Sequence, residues 1–264
     1  MTSGEIFDEL QKIMPLELAM EWDNPGFLEG HRDKEVKKIL VTLGLTEMAA
    51  DRAVEEGYDL IVSHHPKIWN KLSHVTWDNN IERIFMKLIR ADISYIAMHT
   101  NYDVADGCMA DVSAKLLKLA GTEPLEVTGV QNGHEVGIGK IGMLPEAMTA
   151  REIAVYVKKC LDLDHVLMYG EDVFEKTQRI AVSPGSGRGM YHFAMDKGVK
   201  VLVTGDITHS EAVDIVESGI CVIDAGHHGT EKCFVEDMIG KLSSICQAGT
   251  VIEAETRTYE RKVV

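Results

Sequence analysis

No run of about 18 or more consecutive apolar residues occurs in this chain of 264 residues, so the sequence offers no membrane-spanning helix. Positive charge is scarce. Lys and Arg number 27 against 42 Asp and Glu, a formal net charge of −15. A protein that grips phosphate backbones through its general surface is normally basic, which makes nucleic acid a poor candidate partner. Cysteine is thin and scattered: Cys108, Cys160, Cys221, Cys233 and Cys246 are odd in number and form no CxxC pair. That pattern excludes a disulfide framework and fits buried thiols in a reducing, cytoplasmic compartment. Residues 1–14 are acidic and amphipathic, without the basic stretch and apolar run of a secretory signal.

What is present is a globular composition, 45% hydrophobic and 26% charged, at a length that suits one large domain or two modest ones. Thr2-Ser3-Gly4-Glu5 reads as a capping box opening a helix that Pro15 closes. Lys38 to Leu43, Asp59 to Ser63 and Ile93 to Met98 read as short buried strands. Helices are expected over 46–56, 81–90 and 111–119. From Glu126 to Leu144 the chain changes character, with Gly129, Gly133, Gly137, Gly139 and Gly142 between β-branched residues, which predicts strands or hairpins and a boundary. A second capping box at Thr149 to Glu152 starts a helix to about Cys160. Strands follow at 179–183, 199–204 and 220–224, with helices at 189–197 and 210–218. The alternation predicts an α/β fold of two similar units with mostly parallel sheets, divided into residues 1–125 and 126–264.

The halves echo one another. Asp59 to Pro66 lies over Lys200 to Ile207, and Ile96 to Asp103 lies over Ile223 to Glu231 with one residue of slack. The echo is imperfect, because His64-His65 is matched by Gly205-Asp206.

Three apolar runs end directly in metal-competent side chains: one in His64-His65, one in His99 with Asp103, one in His227-His228 with Glu231. Ligands collect at the carboxyl ends of strands in α/β sheets, so these groups are expected to converge there, between the two units. Imidazole and carboxylate together suit zinc, iron or manganese. Four histidines and two carboxylates exceed a closed structural zinc site and match two divalent ions with positions left for water. Two such ions can clamp a phosphate, polarise a carbonyl and make hydroxide available near neutral pH. His227 is preferred to His228 because it alone repeats the four-residue offset of His99 to Asp103. Asp103 and Glu231 are the candidate catalytic carboxylates, bridging the ions or orienting water. His74, His134, His165 and His192 have no evident partner in sequence, and His209 is a candidate to support a ligand from behind.

Ser183 to Gly189 follows a strand and opens a helix, so Gly185, Ser186, Gly187 and Arg188 can be read as an anion seat or as a tight turn that needs glycine. It is not a P-loop, since no Lys-Ser/Thr follows. Trp22 to Gly26 reads as a turn with an aromatic anchor. Trp69 and Trp77 flank a polar loop that is either a lid or ordinary packing.

The set of WDNPG at 22–26, VSHHP at 62–66, HTNYD at 99–103, PGSG at 184–187, TGD at 204–206 and AGHHGTE at 225–231 resembles the Nif-three-like proteins, also labelled GTP cyclohydrolase I type 2 homologues. The resemblance spans nearly the whole chain. It implies a toroidal homohexamer with metal sites facing an internal cavity, a small-molecule substrate such as a nucleotide, and the same six ligands. The ligand set leads to a dinuclear metal-dependent hydrolase, which the resemblance suggests opens a purine ring; the same ligands serve the alternative of a non-enzymatic metal-binding or storage assembly, and some relatives are described as co-regulators of transcription. One departure is Gly44, where the family commonly has an acidic residue.

Overall fold

A computed structural model describes residues 1–171 and 173–259. In chain order the main elements are α1 (Ser3–Ile13), β1 (Gly26–Glu29), β2 (Lys38–Gly44), α2 (Glu47–Glu55), β3 (Leu60–His65), α3 (Asn80–Ala91), β4 (Ser94–Ala97), α4 (Thr100–Val104), α5 (Met109–Leu116), β5 (Ala120–Gln131), β6 (His134–Met148), α6 (Ala150–Cys160), β7 (Leu167–Tyr169), β8 (Thr177–Ser186), α7 (Met190–Asp196), β9 (Val201–Gly205), α8 (His209–Glu217), β10 (Cys221–Asp224), α9 (His227–Glu231), α10 (Cys233–Ile245) and β11 (Val251–Glu255). Both expected capping boxes form. Thr2 and Glu5 exchange bonds at α1, and Thr149 and Glu152 do so at α6, each pair satisfying orphan N–H groups of the first turn.

Two compact units result: residues 1–102 with 234–259, and residues 103–233. The division expected after residue 125 falls inside β5. The C-terminal segment, expected with the second half, adds β11 to the first sheet by parallel pairing with β2. Sequence periodicity cannot reveal such a return, because strand pairing across some 200 residues leaves no local pattern. Arg52 holds β11 in place, donating to the Ala254 carbonyl at 2.7 Å and to Glu253 at 2.8 Å.

The first sheet has the order β1-β4-β3-β2-β11, and only the β1–β4 pairing is antiparallel. The second has the order β5-β6-β8-β9-β10-β7. Here the expectation of a mostly parallel sheet is corrected. β8, β9 and β10 are parallel, but β5–β6, β6–β8 and β7–β10 are antiparallel. The glycine-punctuated hairpin supplies two of those antiparallel pairings. The centre of this sheet is covered on both faces, as parallel strands require. Val201, Val203 and Ile223 pack with Ile153 and Val157 of α6, while Leu202 and Val222 pack with Met190 of α7 and Ile215 of α8.

The internal echo is topological. β1-β2-α2-β3-α3-β4-α4, in the first unit but for the last residues of α4, and β7-β8-α7-β9-α8-β10-α9 in the second have the same element order. They also have the same sheet order and the same antiparallel edge strand. In each, a short helix follows the second of two neighbouring parallel strands, and that helix carries the His-x-x-x-acid motif or begins one residue after its histidine.

One carboxylate of the first unit is out of place energetically. Burial, with repulsion from Asp92 and only partial relief from Lys34, pushes Glu29 from 4.5 up to about 7. Its Oε2 is buried and has no hydrogen-bond partner among the described residues. A raised carboxyl means that the folded state binds the extra proton, so stability falls as pH rises from 4.5 through about 7. Glu29→Gln is expected to raise stability at pH 8 by on the order of 1 kcal/mol, after allowing for the water that reaches the group, and to change little at pH 4. Urea melts at the two pH values check this, and an equal effect at both would remove the charge explanation.

Candidate metal centre

In the first unit, β3 carries the apolar run to its end, and its last two residues are His64 and His65. β4 runs parallel beside it, with Ser63 opposite Ala97, so the residues just past β4 reach the same edge. His99 stands there, immediately before α4. Ligand-competent atoms of His64, His65 and His99 all lie within 4.8 Å of one another. Ring centroids are 4.7 Å apart for His64–His65, 5.0 Å for His64–His99 and 5.2 Å for His65–His99. His64 is fully buried and His99 is 8% exposed.

The rings are held from behind. His64 Nδ1 bonds the Met98 carbonyl at 2.9 Å, so Nδ1 is the donor and Nε2 carries the lone pair. His99 Nδ1 bonds Asp23 Oδ2 at 2.9 Å. A ring nitrogen fixed by a carbonyl or carboxylate is the arrangement that orients metal-ligating histidines and raises their basicity. Asp23 also accepts from the Thr100 amide at 3.0 Å and the Thr100 hydroxyl at 2.5 Å. Burial raises its carboxyl, but the bonds from His99 and Thr100 outweigh that and hold it down at about 2. Asn101 takes the His99 amide at 2.9 Å and donates to the Met14 carbonyl at 2.8 Å. Tyr102 donates to Asp237 at 2.6 Å. The residues Thr100, Asn101 and Tyr102 thus each fix the turn that presents His99, and Asp103 follows on α4.

Asp23 was not singled out from sequence, where its segment reads as a turn. The available signal is the carboxylate within a Trp-Asp-Asn-Pro-Gly turn that no local role required. Asp23→Asn is expected to leave the fold intact and weaken metal binding by about 10- to 100-fold. Competition with a fluorescent zinc chelator measures this, and unaltered affinity would reduce Asp23 to a loop anchor.

In the second unit, His227 opens α9 just past β10. Its Nδ1 bonds Asp206 Oδ2 at 2.8 Å, and its Nε2 lies 3.1 Å from Glu231 Oε2. Burial pulls the ring toward neutrality, but Glu231 and then Asp206 outweigh it and push His227 up to about 9. The two carboxylates thus favour positive charge at this point of the second unit. Asp206 adopts a left-handed backbone conformation, φ 57°, which Asp tolerates better than most residues. It occupies the place in the echo that His65 takes in the first unit. His209 is exposed at the start of α8, and Asp206 has the supporting role considered for it.

Gly205 explains the imperfect echo. It stands where the first unit has His64, and a Cβ there would drive into the backbone of Gly226 and His227. The second unit has no room for a histidine at this point. Gly44, the departure from the family pattern, pairs with His65 in register, and a Cβ there would meet only His65 Cδ2 at 4.0 Å. That space is open.

The glycine-rich segment is mainly strand, since β8 continues through Ser186. The Gly185 amide donates to Thr230 Oγ1 at 2.9 Å, Gly187 to the Gly205 carbonyl at 3.0 Å and Gly189 to Glu211 at 3.1 Å. These three donors already serve the protein, and Ser186 and Arg188 are exposed. Gly185 sits at φ 76°, and a Cβ on it would collide with Glu231 Oε1. The glycine there makes room for a candidate ligand. His74 pairs with Glu82 at 3.4 Å and His134 with Asp106 at 3.3 Å, while His165 is exposed and His192 packs on Tyr191.

Imidazole and carboxylate donors, with ring nitrogens secured from behind, fit a first-row divalent ion. A model of Duf34/NIF3 (NGG1p interacting factor 3) matches residues 1–261. The chain belongs to the Duf34/NIF3 family. Among its relatives, a Streptococcus pneumoniae protein called GTP cyclohydrolase 1 type 2 homolog is 33% identical over 92% of this chain and 91% of its own length. A Drosophila melanogaster NIF3-like protein 1 is 28% identical over 88% of this chain and 78% of its own. The crystal structure of a Bacillus cereus protein related to NIF3 superposes with a TM-score of 0.92 at 25% identity, covering 100% of this chain and 99% of that one. No helix among the described residues is long and apolar enough to cross a membrane.

Proposed function

We propose that this Duf34/NIF3 protein is a metal-dependent hydrolase that holds two divalent ions, zinc, iron or manganese, through His64, His65, His99, Asp103, His227 and Glu231. The observation that carries the reading is the His64, His65 and His99 cluster, whose candidate ligand atoms lie within 4.8 Å of one another, with His64 and His99 locked at Nδ1. Divalent ions would supply Lewis acidity and a nucleophile from water at neutral pH. The chain's own residues do the rest. Asp23 and Met98 orient His99 and His64. Glu231, 4% exposed and paired with His227, holds or moves a proton, and Asp103 orients water. In this reading the protein works as a toroidal homohexamer in the cytoplasm on a small-molecule substrate, and the name of the relatives makes GTP the first to test.

The test is GTP turnover by protein of measured metal content, with products followed by mass spectrometry. A ring-opened or formate-releasing product that disappears on chelation and returns with metal is expected. Two ions per chain with GTP untouched would overturn the cyclohydrolase assignment and leave metal handling as the function.

A further inference from the structure

Beside the histidine cluster stand two exposed tryptophans that the ligand set does not use. Trp22 is 64% exposed and Trp69 is 47% exposed. Their rings are nearly parallel, 21° between planes and 6.3 Å between centroids. Both stand roughly perpendicular to His99, Trp22 at 77° and 6.1 Å and Trp69 at 83° and 5.2 Å. One candidate ligand ring therefore touches two indoles that share an orientation.

The pair is built. Asn24 donates from Nδ2 to the Ile68 carbonyl at 2.7 Å, tying the turn that bears Trp22 to the loop that bears Trp69. The neighbouring Asp23 accepts from the Asn24 amide at 2.7 Å and bonds His99. On the far side of the same loop, Thr76 donates its amide at 2.6 Å and its hydroxyl at 2.9 Å to the buried Glu82. The segment that orients His99 thus also sets the two indoles. Contiguous exposed apolar faces rimmed by polar groups are a mark of interaction and ligand sites.

We infer that Trp22 and Trp69 form a stacking platform for the planar heteroaromatic ring of a nucleoside substrate, delivering that ring to the edge of the His64, His65 and His99 cluster. The inference rests on the metal-site reading for its chemistry and on the indole geometry for its ligand class. Aromatic faces accept flat rings of many substitution patterns, and loss of one such contact weakens binding by roughly 5- to 100-fold. The non-aromatic part of a nucleotide gains nothing from it.

The test uses the full chain in a Trp77→Phe background, so that fluorescence reports Trp22 and Trp69 alone. Guanosine is expected to quench it saturably, and ribose 5-phosphate is not. By equilibrium dialysis, Trp22→Leu and Trp69→Leu should each weaken guanosine binding about tenfold, with metal content and melting temperature unchanged, and Trp69→Phe should retain most of the affinity. Equal guanosine affinity in wild type and the Trp22→Leu/Trp69→Leu protein would overturn the platform. So would indoles shielded from acrylamide and indifferent to guanosine, which would assign the pair to a contact with another copy of the chain. Guanosine binding that depends on the indoles in protein that takes up no metal would sustain the platform while refuting the hydrolase reading.

Discussion

His65→Ala protein is expected to purify folded with about one metal ion fewer per chain than wild type, and with hydrolytic turnover lost beyond the roughly 10- to 100-fold that a supporting residue costs. His65 is the ligand to remove first. It ends β3 and is only half-buried, whereas His64 is fully buried against the rings of Phe234 and Tyr102, at 5.0 and 5.8 Å. Alanine at 64 would open a hole in the core and confuse metal loss with unfolding. At 65 the main chain keeps its bonds, because the His65 carbonyl accepts from Ser63 Oγ at 2.8 Å and from Tyr95 at 3.0 Å whatever the side chain. His74→Ala, at an exposed histidine paired with Glu82, is the matched control and should retain full metal. Elemental analysis of the three proteins decides the matter, and unchanged occupancy in His65→Ala would remove that residue from the ligand set.

Two glycines at strand ends, Gly44 of β2 and Gly205 of β9, should behave in opposite ways. Gly205→Ala is expected to destabilise the protein by about 1–3 kcal/mol and to displace His227, because the added methyl meets the backbone of Gly226 and His227 and not a mobile side chain. Gly44→Ala is expected to be neutral or slightly stabilising, since its nearest neighbour is His65 Cδ2 at 4.0 Å and its φ is not positive. Denaturant melts and metal titration separate the two. A Gly205→Ala protein as stable as wild type would show that the end of β9 and the start of α9 can move apart freely, and the account of why the second unit lacks a histidine there would fail.

Much of this chain was legible before folding. The capping boxes at Thr2 and Thr149, the buried strands and the hairpin of Glu126 to Leu144 all follow from local rules of propensity, capping and hydrophobic period. The convergence of His64, His65 and His99 also follows, because it needs only two parallel neighbouring strands that end in ligands. The pairing of His227 with Glu231 needs only one helical turn. What the sequence could not settle depends on contacts between distant segments. Asp23 reaches His99 across 76 positions, and Asn24 reaches Ile68 across 44, so neither shows in any periodicity. The segment of Gly185, Ser186, Gly187 and Arg188 could be read as an anion seat or as a tight turn, and the protein acceptors of the Gly185 and Gly187 amides are visible only in the fold. The return of β11 to β2 redrew the units. Residue types and local spacing specify elements and donor chemistry, because those act within a turn or a strand. The partner that completes each hydrogen bond, and the space left beside each Cα, exist only once the chain has brought remote backbone together.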